Sequence, residues 1–180
     1  MLQIIILAAS AVLIGLDQWT KWLAVTHLKE QSPVVLWDGV FEFFYTENTG
    51  AAFGMLKEQR WIFITVTIVV LLAVLAVLLS GRFRKHPLVN ISGILIIAGG
   101  VGNLIDRIAL GYVVDFLYFK LIDFPIFNVA DCCVVIGAIL LLVYFFFFYK
   151  EEKTAVQAEG EEHDGNENTV SDAGTDGHTA

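Results

Sequence analysis

Four long apolar runs constrain this chain more than any other feature, at about residues 2–27, 61–80, 88–108 and 129–149. A helix needs about 20 apolar residues to cross the hydrocarbon core of a bilayer, and each run is near that length. Hydrophobic residues make up 57% of the 180, and mean hydropathy is +0.70, too apolar for an ordinary soluble domain. The first run lacks a basic leading segment and a small-residue cleavage site. It is also longer than a signal-peptide core, so it reads as a retained span. The expected fold class is an all-α membrane protein, with four transmembrane helices and a small extracytoplasmic β-sheet.

The net charge of −8 comes from the end of the chain. Residues 1–150 carry ten acids and ten Lys or Arg, whereas residues 151–180 carry nine acids and a single Lys153. That last segment has no aromatic residue and is rich in Gly, Thr, Asn and Glu, the composition of a disordered, solvated tail. Two regions follow: a four-helix domain over 1–150 and an acidic tail over 151–180. The short connection between the second and third runs holds Arg82, Arg84, Lys85 and His86. The positive-inside rule puts it in the cytoplasm, and Lys150 and Lys153 agree. Four spans then leave both termini cytoplasmic, with residues 28–60 and 109–128 facing outward.

The first outward connection contains Val34 to Trp37, then Asp38-Gly39, then Val40 to Tyr45. β-prone flanks around a two-residue Asp-Gly turn predict a hairpin. Its many aromatic residues suit either the headgroup layer or packing on protein. The residues alone leave that open.

Two aspartates stand in strongly apolar sequence beside predicted spans: Asp115 in Val113-Val114-Asp115-Phe116, and Asp131 in Phe127-Asn128-Val129-Ala130-Asp131. A charge at a helix centre costs roughly 2.5–3.5 kcal/mol on insertion scales, so such groups need a partner or a task. Two of them on the outward side can share a proton and work as an acid and a base. Asn128 and Asp131 also fit a helix-capping arrangement, which explains both without chemistry. It does not explain Asp115.

Other polar residues lie where lipid is expected. Asp17 and Lys21, spaced i and i+4, read as a structural ion pair. Asn103, Asp106 and Arg107 share the last turn of the third run, after a Gly-rich stretch that allows close helix approach. They read equally as a positioning site or as a structural clamp. Glu47-Asn48-Thr49-Gly50 reads as a turn, with Asn48 able to hydrogen-bond a peptide. Cys132 and Cys133 are adjacent, without metal or redox spacing, and read as small buried hydrophobes. The four histidines have no zinc spacing, and hydrolase and dinucleotide motifs are missing. No basic face for nucleic acid is present. A carboxylate-pair hydrolase is the enzyme class whose parts are present. A proton-relay or transport protein and a structural protein are the other readings.

Five motifs occur in order: Asp17-Gln18-Trp19-Thr20-Lys21, Asn48-Thr49-Gly50-Ala51-Ala52-Phe53, Gly102-Asn103-Leu104-Ile105-Asp106-Arg107, Gly111-Tyr112-Val113-Val114-Asp115-Phe116, and Phe127-Asn128-Val129-Ala130-Asp131. Together, over about residues 10–140, they resemble the lipoprotein signal peptidases, bacterial signal peptidase II. The resemblance implies an aspartic peptidase of the bacterial inner membrane that acts on prolipoproteins already carrying diacylglycerol and cuts before the lipidated cysteine. It implies Asp115 and Asp131 as catalytic residues. Asn48, Gly50, Asn103, Arg107, Asn128 and Ala130 would bind substrate or orient the pair, and Asp17, Lys21 and Asp106 would support the fold. Prolipoproteins and bilayer lipids are the expected partners of a monomer that requires no cofactor or metal.

Overall fold

The computed structural model describes residues 2–50, 59–81, 83 and 86–149. Four helices carry the apolar runs: α1 over Leu2–His27, α2 over Arg60–Leu79, α3 over Pro87–Ala109 and α4 over Val129–Phe147. All four are long and apolar enough to cross a membrane. The predicted bounds fall within two residues of these. The acidic tail, the basic residues Arg82, Arg84, Lys85 and Lys150, and Ala51 to Gly54 lie outside the described residues.

Three strands form one antiparallel sheet in the order β1-β2-β3, with β1 over Val34–Trp37, β2 over Phe41–Asn48 and β3 over Val113–Phe119. β1 and β2 are the predicted hairpin, but its turn is one residue longer than expected. Asp38 and Gly39 are central in a turn closed by the Val40 N–H to the Trp37 carbonyl at 3.0 Å, and Gly39 alone has positive φ, +69°. A type I′ turn needs positive φ at both central residues, and Asp38 does not adopt it. Val40 is therefore left outside the ladder, and pairing resumes at Trp37↔Phe41.

β3 replaces what the sequence presents as an outward connection. It pairs with β2 through Thr46↔Asp115, Glu47↔Val114 and Asn48↔Val113. Its first four residues, Val113 to Phe116, are all buried. The sheet packs on the end of α1 through a cluster of Ala24, Val114 and Phe116, joined by Leu28, Phe43, Tyr45 and Tyr112. The open choice for the aromatic hairpin divides between its strands. β2 and β3 pack on protein, whereas all four residues of β1 are exposed.

α3 packs on α1 and α2. Two of its glycines admit other parts of the fold. A Cβ at Gly102 would lie 2.5 Å from Asp17 Oδ2, and one at Gly99 would overlap the Ala130 carbonyl. Either side chain would push α3 off its neighbours. The chain divides after Leu141 into a second compact unit. In its described part Tyr144, Phe145 and Tyr149 are in mutual ring contact.

Candidate active site

β3 and the first turn of α4 bring Asp115 and Asp131 to a common set of amides. Asn128 Nδ2 donates to Asp115 Oδ1 at 2.6 Å. The Asn128 backbone N–H donates to Asp131 Oδ2 at 3.1 Å, and the Asp131 N–H donates to Asn128 Oδ1 at 2.9 Å. The last two bonds are a reciprocal capping box at the start of α4. The capping reading therefore holds, and the same residue does more: the backbone and Oδ1 of Asn128 cap α4 while its amide nitrogen reaches Asp115. Asn128 is wholly buried, and Asp115 is 1% exposed.

Two more amides complete the frame. Asn48, at the end of β2, donates to Asp115 Oδ2 at 2.9 Å. Its own Oδ1 accepts the Gly50 N–H at 3.0 Å, so Gly50 fixes which way the Asn48 amide faces. Asn103 on α3 donates to Asp131 Oδ1 at 2.7 Å and accepts from Asn128 Nδ2 at 3.0 Å. Every oxygen of the two carboxylates thus has an N–H donor. Burial pushes the Asp115 carboxyl up to about 7, with the Asp131 charge adding to the shift; the bonds from Asn48 and Asn128 pull the other way. A group of that kind holds a proton near neutrality, as acid–base work requires.

Asp17, Lys21 and Asp106 form a buried ionic layer behind this frame. Lys21 Nζ lies 3.0 Å from Asp17 Oδ2, 3.0 Å from Asp106 Oδ2 and 2.9 Å from Asn103 Oδ1. The expected Asp17–Lys21 pair is present as two sides of a larger network. Each acid in it also anchors backbone beside a carboxylate of the pair. Asp17 Oδ1 accepts the Ala130 N–H at 2.8 Å, next to Asp131, and Asp106 Oδ2 accepts the Val114 N–H at 3.1 Å, next to Asp115. Ala130 is buried, and its part in the site is this N–H. The polar turn of α3 is thereby split, with Asn103 serving the pair and Asp106 the ionic layer.

Gln18 belongs to this layer although it was not singled out from the sequence. Its amide donates to Gly102 O at 3.1 Å and to Asp106 Oδ1 at 3.0 Å. Its signal was a polar amide within an apolar run. Among the described residues Arg107 makes a single long bond, to Asn103 O at 3.4 Å, and its guanidinium lies over the Phe63 ring. On the other face of the sheet, Glu47 Oε1 accepts from Lys29 at 3.0 Å and from Tyr45 Oη at 2.9 Å. Among the described residues no group of three or more His, Cys, Asp or Glu is arranged to hold a metal. Cys132 and Cys133 are free thiols, the second buried.

The model of signal peptidase (SPase) II matches residues 9–147. The chain belongs to the signal peptidase II family. The lipoprotein signal peptidase of Symbiobacterium thermophilum is 47% identical over 132 residues, covering 72% of this chain and 85% of the relative. That of Clostridioides difficile is 46% identical over 124 residues, covering 68% and 82%. Two solved bacterial membrane enzyme structures, obtained by the in meso method, superpose with TM-scores of 0.72 and 0.71, each at 29% identity. They cover 78% and 79% of this chain, and 87% and 93% of their own. As a signal peptidase II family member the protein is a peptidase and an integral membrane protein, with four span-length helices and a small antiparallel sheet.

Proposed function

We propose that this peptidase removes signal peptides from diacylglyceryl-modified prolipoproteins by aspartic catalysis, cutting just before the lipidated cysteine. The observation that carries the mechanism is the pair of carboxylates from different elements, Asp115 and Asp131, held by the amides of one residue, Asn128. Buried carboxylates coupled in this way share a proton, and their apparent pKa values belong to the pair.

The ionised member takes a proton from water, whose oxygen attacks the scissile carbonyl carbon. The protonated member donates to the carbonyl oxygen. As the tetrahedral intermediate collapses, the C–N bond breaks, the carboxyl that took the water proton passes it to the departing cysteine nitrogen, and a hydroxyl proton of the intermediate returns to the other carboxylate. Arg107 supplies N–H donors around the developing charge, while the three Asn residues orient the carboxylates. Ala130 acts through its backbone, and Asp17, Lys21 and Asp106 hold the two chain segments that carry the pair.

In this reading the pair faces the extracytoplasmic side of the bacterial inner membrane, and both termini are cytoplasmic. The basic connection at Arg82, Arg84 and Lys85 supports that orientation through the positive-inside rule. A site at the membrane surface lets the lipid of the substrate remain in the bilayer. Residues 1–150 form the peptidase domain of a monomer, and the acidic segment 151–180 is a separate tail.

The test is a gel-shift cleavage assay in detergent with a diacylglyceryl-modified prolipoprotein. Wild type, Asp115→Asn and Asp131→Asn are first shown to be folded by size exclusion. Wild type is expected to cleave, and neither variant to do so above background. Undiminished cleavage by either variant would refute the aspartic mechanism.

A further inference from the structure

Arg107 is held unusually for a guanidinium near three carboxylates. Asp131, Asp115 and Asp106 all attract it, yet among the described residues it makes no ion pair. Those carboxylates are bonded by other donors instead. Asp115 is bonded by Asn48 and Asn128, Asp131 by Asn103 and the Asn128 N–H, and Asp106 by Gln18, Lys21 and the Val114 N–H. On the side of α2, the guanidinium carbon sits 5.1 Å from the centroid of the Phe63 ring. A ring face attracts a cation without accepting a directional hydrogen bond from its N–H groups. Among the described residues, most of the five donors of Arg107 therefore have no acceptor.

We propose that Phe63, in the first turn of α2, is a positioning residue for the reaction: its ring face holds the Arg107 guanidinium beside the carboxylate pair rather than on it. The inference rests on the aspartic reading above. An arginine that closed onto Asp131 or Asp115 would favour the ionised carboxylate and remove the shared proton. Held against Phe63, it keeps its N–H groups free for the substrate carbonyl or peptide backbone. The charged groups bearing on it are Asp106 from α3, Asp115 from β3 and Asp131 from α4, with Lys21 of α1 behind them. From α2 itself, Arg60 is stacked on Trp61, with its guanidinium carbon 5.0 Å from that ring.

The experiment compares Phe63→Leu and Phe63→Met, which remove the ring face, with Phe63→Tyr, which keeps it. kcat and KM are read across pH with a lipid-modified substrate, after size exclusion has shown each protein folded. Leu and Met are expected to lower kcat about tenfold, with KM within about twofold of wild type, and to move the alkaline limb of the kcat profile to lower pH. Tyr is expected to restore kcat to within about twofold. In an Arg107→Gln background, which leaves the ring no cation to hold, Phe63→Leu is expected to add little to the residual rate's loss. Wild-type rates and pH profiles in both Leu and Met variants would overturn the proposal. So would equal loss with Tyr, or an undiminished effect of Phe63→Leu on Arg107→Gln. Asp115→Asn in the same assay separates the two readings. If it cleaves, the aspartic mechanism fails; if it is inactive while Phe63→Leu matches wild type, only the positioning role fails.

Discussion

Replacing Lys21 with Met tests the ionic layer most directly. Lys21 is 3% exposed, and its ammonium serves three oxygens, those of Asp17, Asp106 and Asn103, at 2.9–3.0 Å. Met has similar bulk and can fill the same space, so little of the effect arises from a cavity. What remains is two buried carboxylates facing one another without their cation. Removing one partner from a buried ion pair costs about 3–5 kcal/mol. For a domain of this size that corresponds to a fall in Tm on the order of 10 °C. Thermal unfolding in detergent, followed with a thiol-reactive dye, reads it directly, because Cys133 is buried and Cys132 half-buried at the start of α4. The cause is checked by removing the charges as well. Lys21→Met combined with Asp17→Asn and Asp106→Asn is expected to recover more than half of the lost Tm. A single variant within about 2 °C of wild type would refute the reasoning. A triple variant no more stable than the single one would show that uncompensated charge is not the source of the loss.

Two further outcomes follow from the site. With the Asp115 carboxyl pushed up to about 7, above its unfolded value of 3.8, the folded state binds that proton more tightly than the unfolded state. This group's contribution to stability is therefore full below about pH 4, falls as pH rises toward 7 and is level above it, and cleavage is lost as pH rises through about 7. A pH–rate profile paired with melting curves checks both, and a rate that climbs steadily from pH 6 to 9 would contradict the assignment. Asn128→Ala is expected to lower kcat at least a hundredfold, whereas loss of its cap alone costs about 1 kcal/mol of stability. Single-turnover cleavage well below the melting temperature separates the two, and a rate near wild type would reduce Asn128 to a cap.

The spans were legible because apolar length is a local property of the chain, and the predicted bounds fell within two residues. The hairpin was legible from its β-prone flanks, but its turn was not. Asp-Gly fits turns with positive φ at one central residue or at both, and the choice of the first displaced Val40 from the ladder. β3 was missed because a strand buried on both faces has no polar–apolar alternation to read. Val113 to Phe116 are buried in succession, and the β-prone run Val113 to Phe119 was its remaining signal. The polar members of the site were visible as costly residues in apolar sequence, whereas their partners were not. Lys21 meets Asp106, and Gln18 meets Gly102, across more than 80 positions that no local pattern spans. Spacing could not show that the Asn128 side chain both caps α4 at Asp131 and bonds the Asp115 carboxylate, because Asp115 lies on another element.

The bond between Asp17 and Lys21 also bears on how the chain enters the bilayer during synthesis. The two residues lie four positions apart on α1, which emerges from the ribosome before α3, and Asp106 follows Lys21 by 85 residues. At typical elongation rates that delay is roughly 4–17 s. Throughout it, each charge on the first helix already has its opposite one turn away, so the segment can partition as a neutral unit before the rest of its network exists. Asp106 then arrives with the third helix and finds a preassembled ammonium to bind. The order in which the charges are made is the order in which they can be buried.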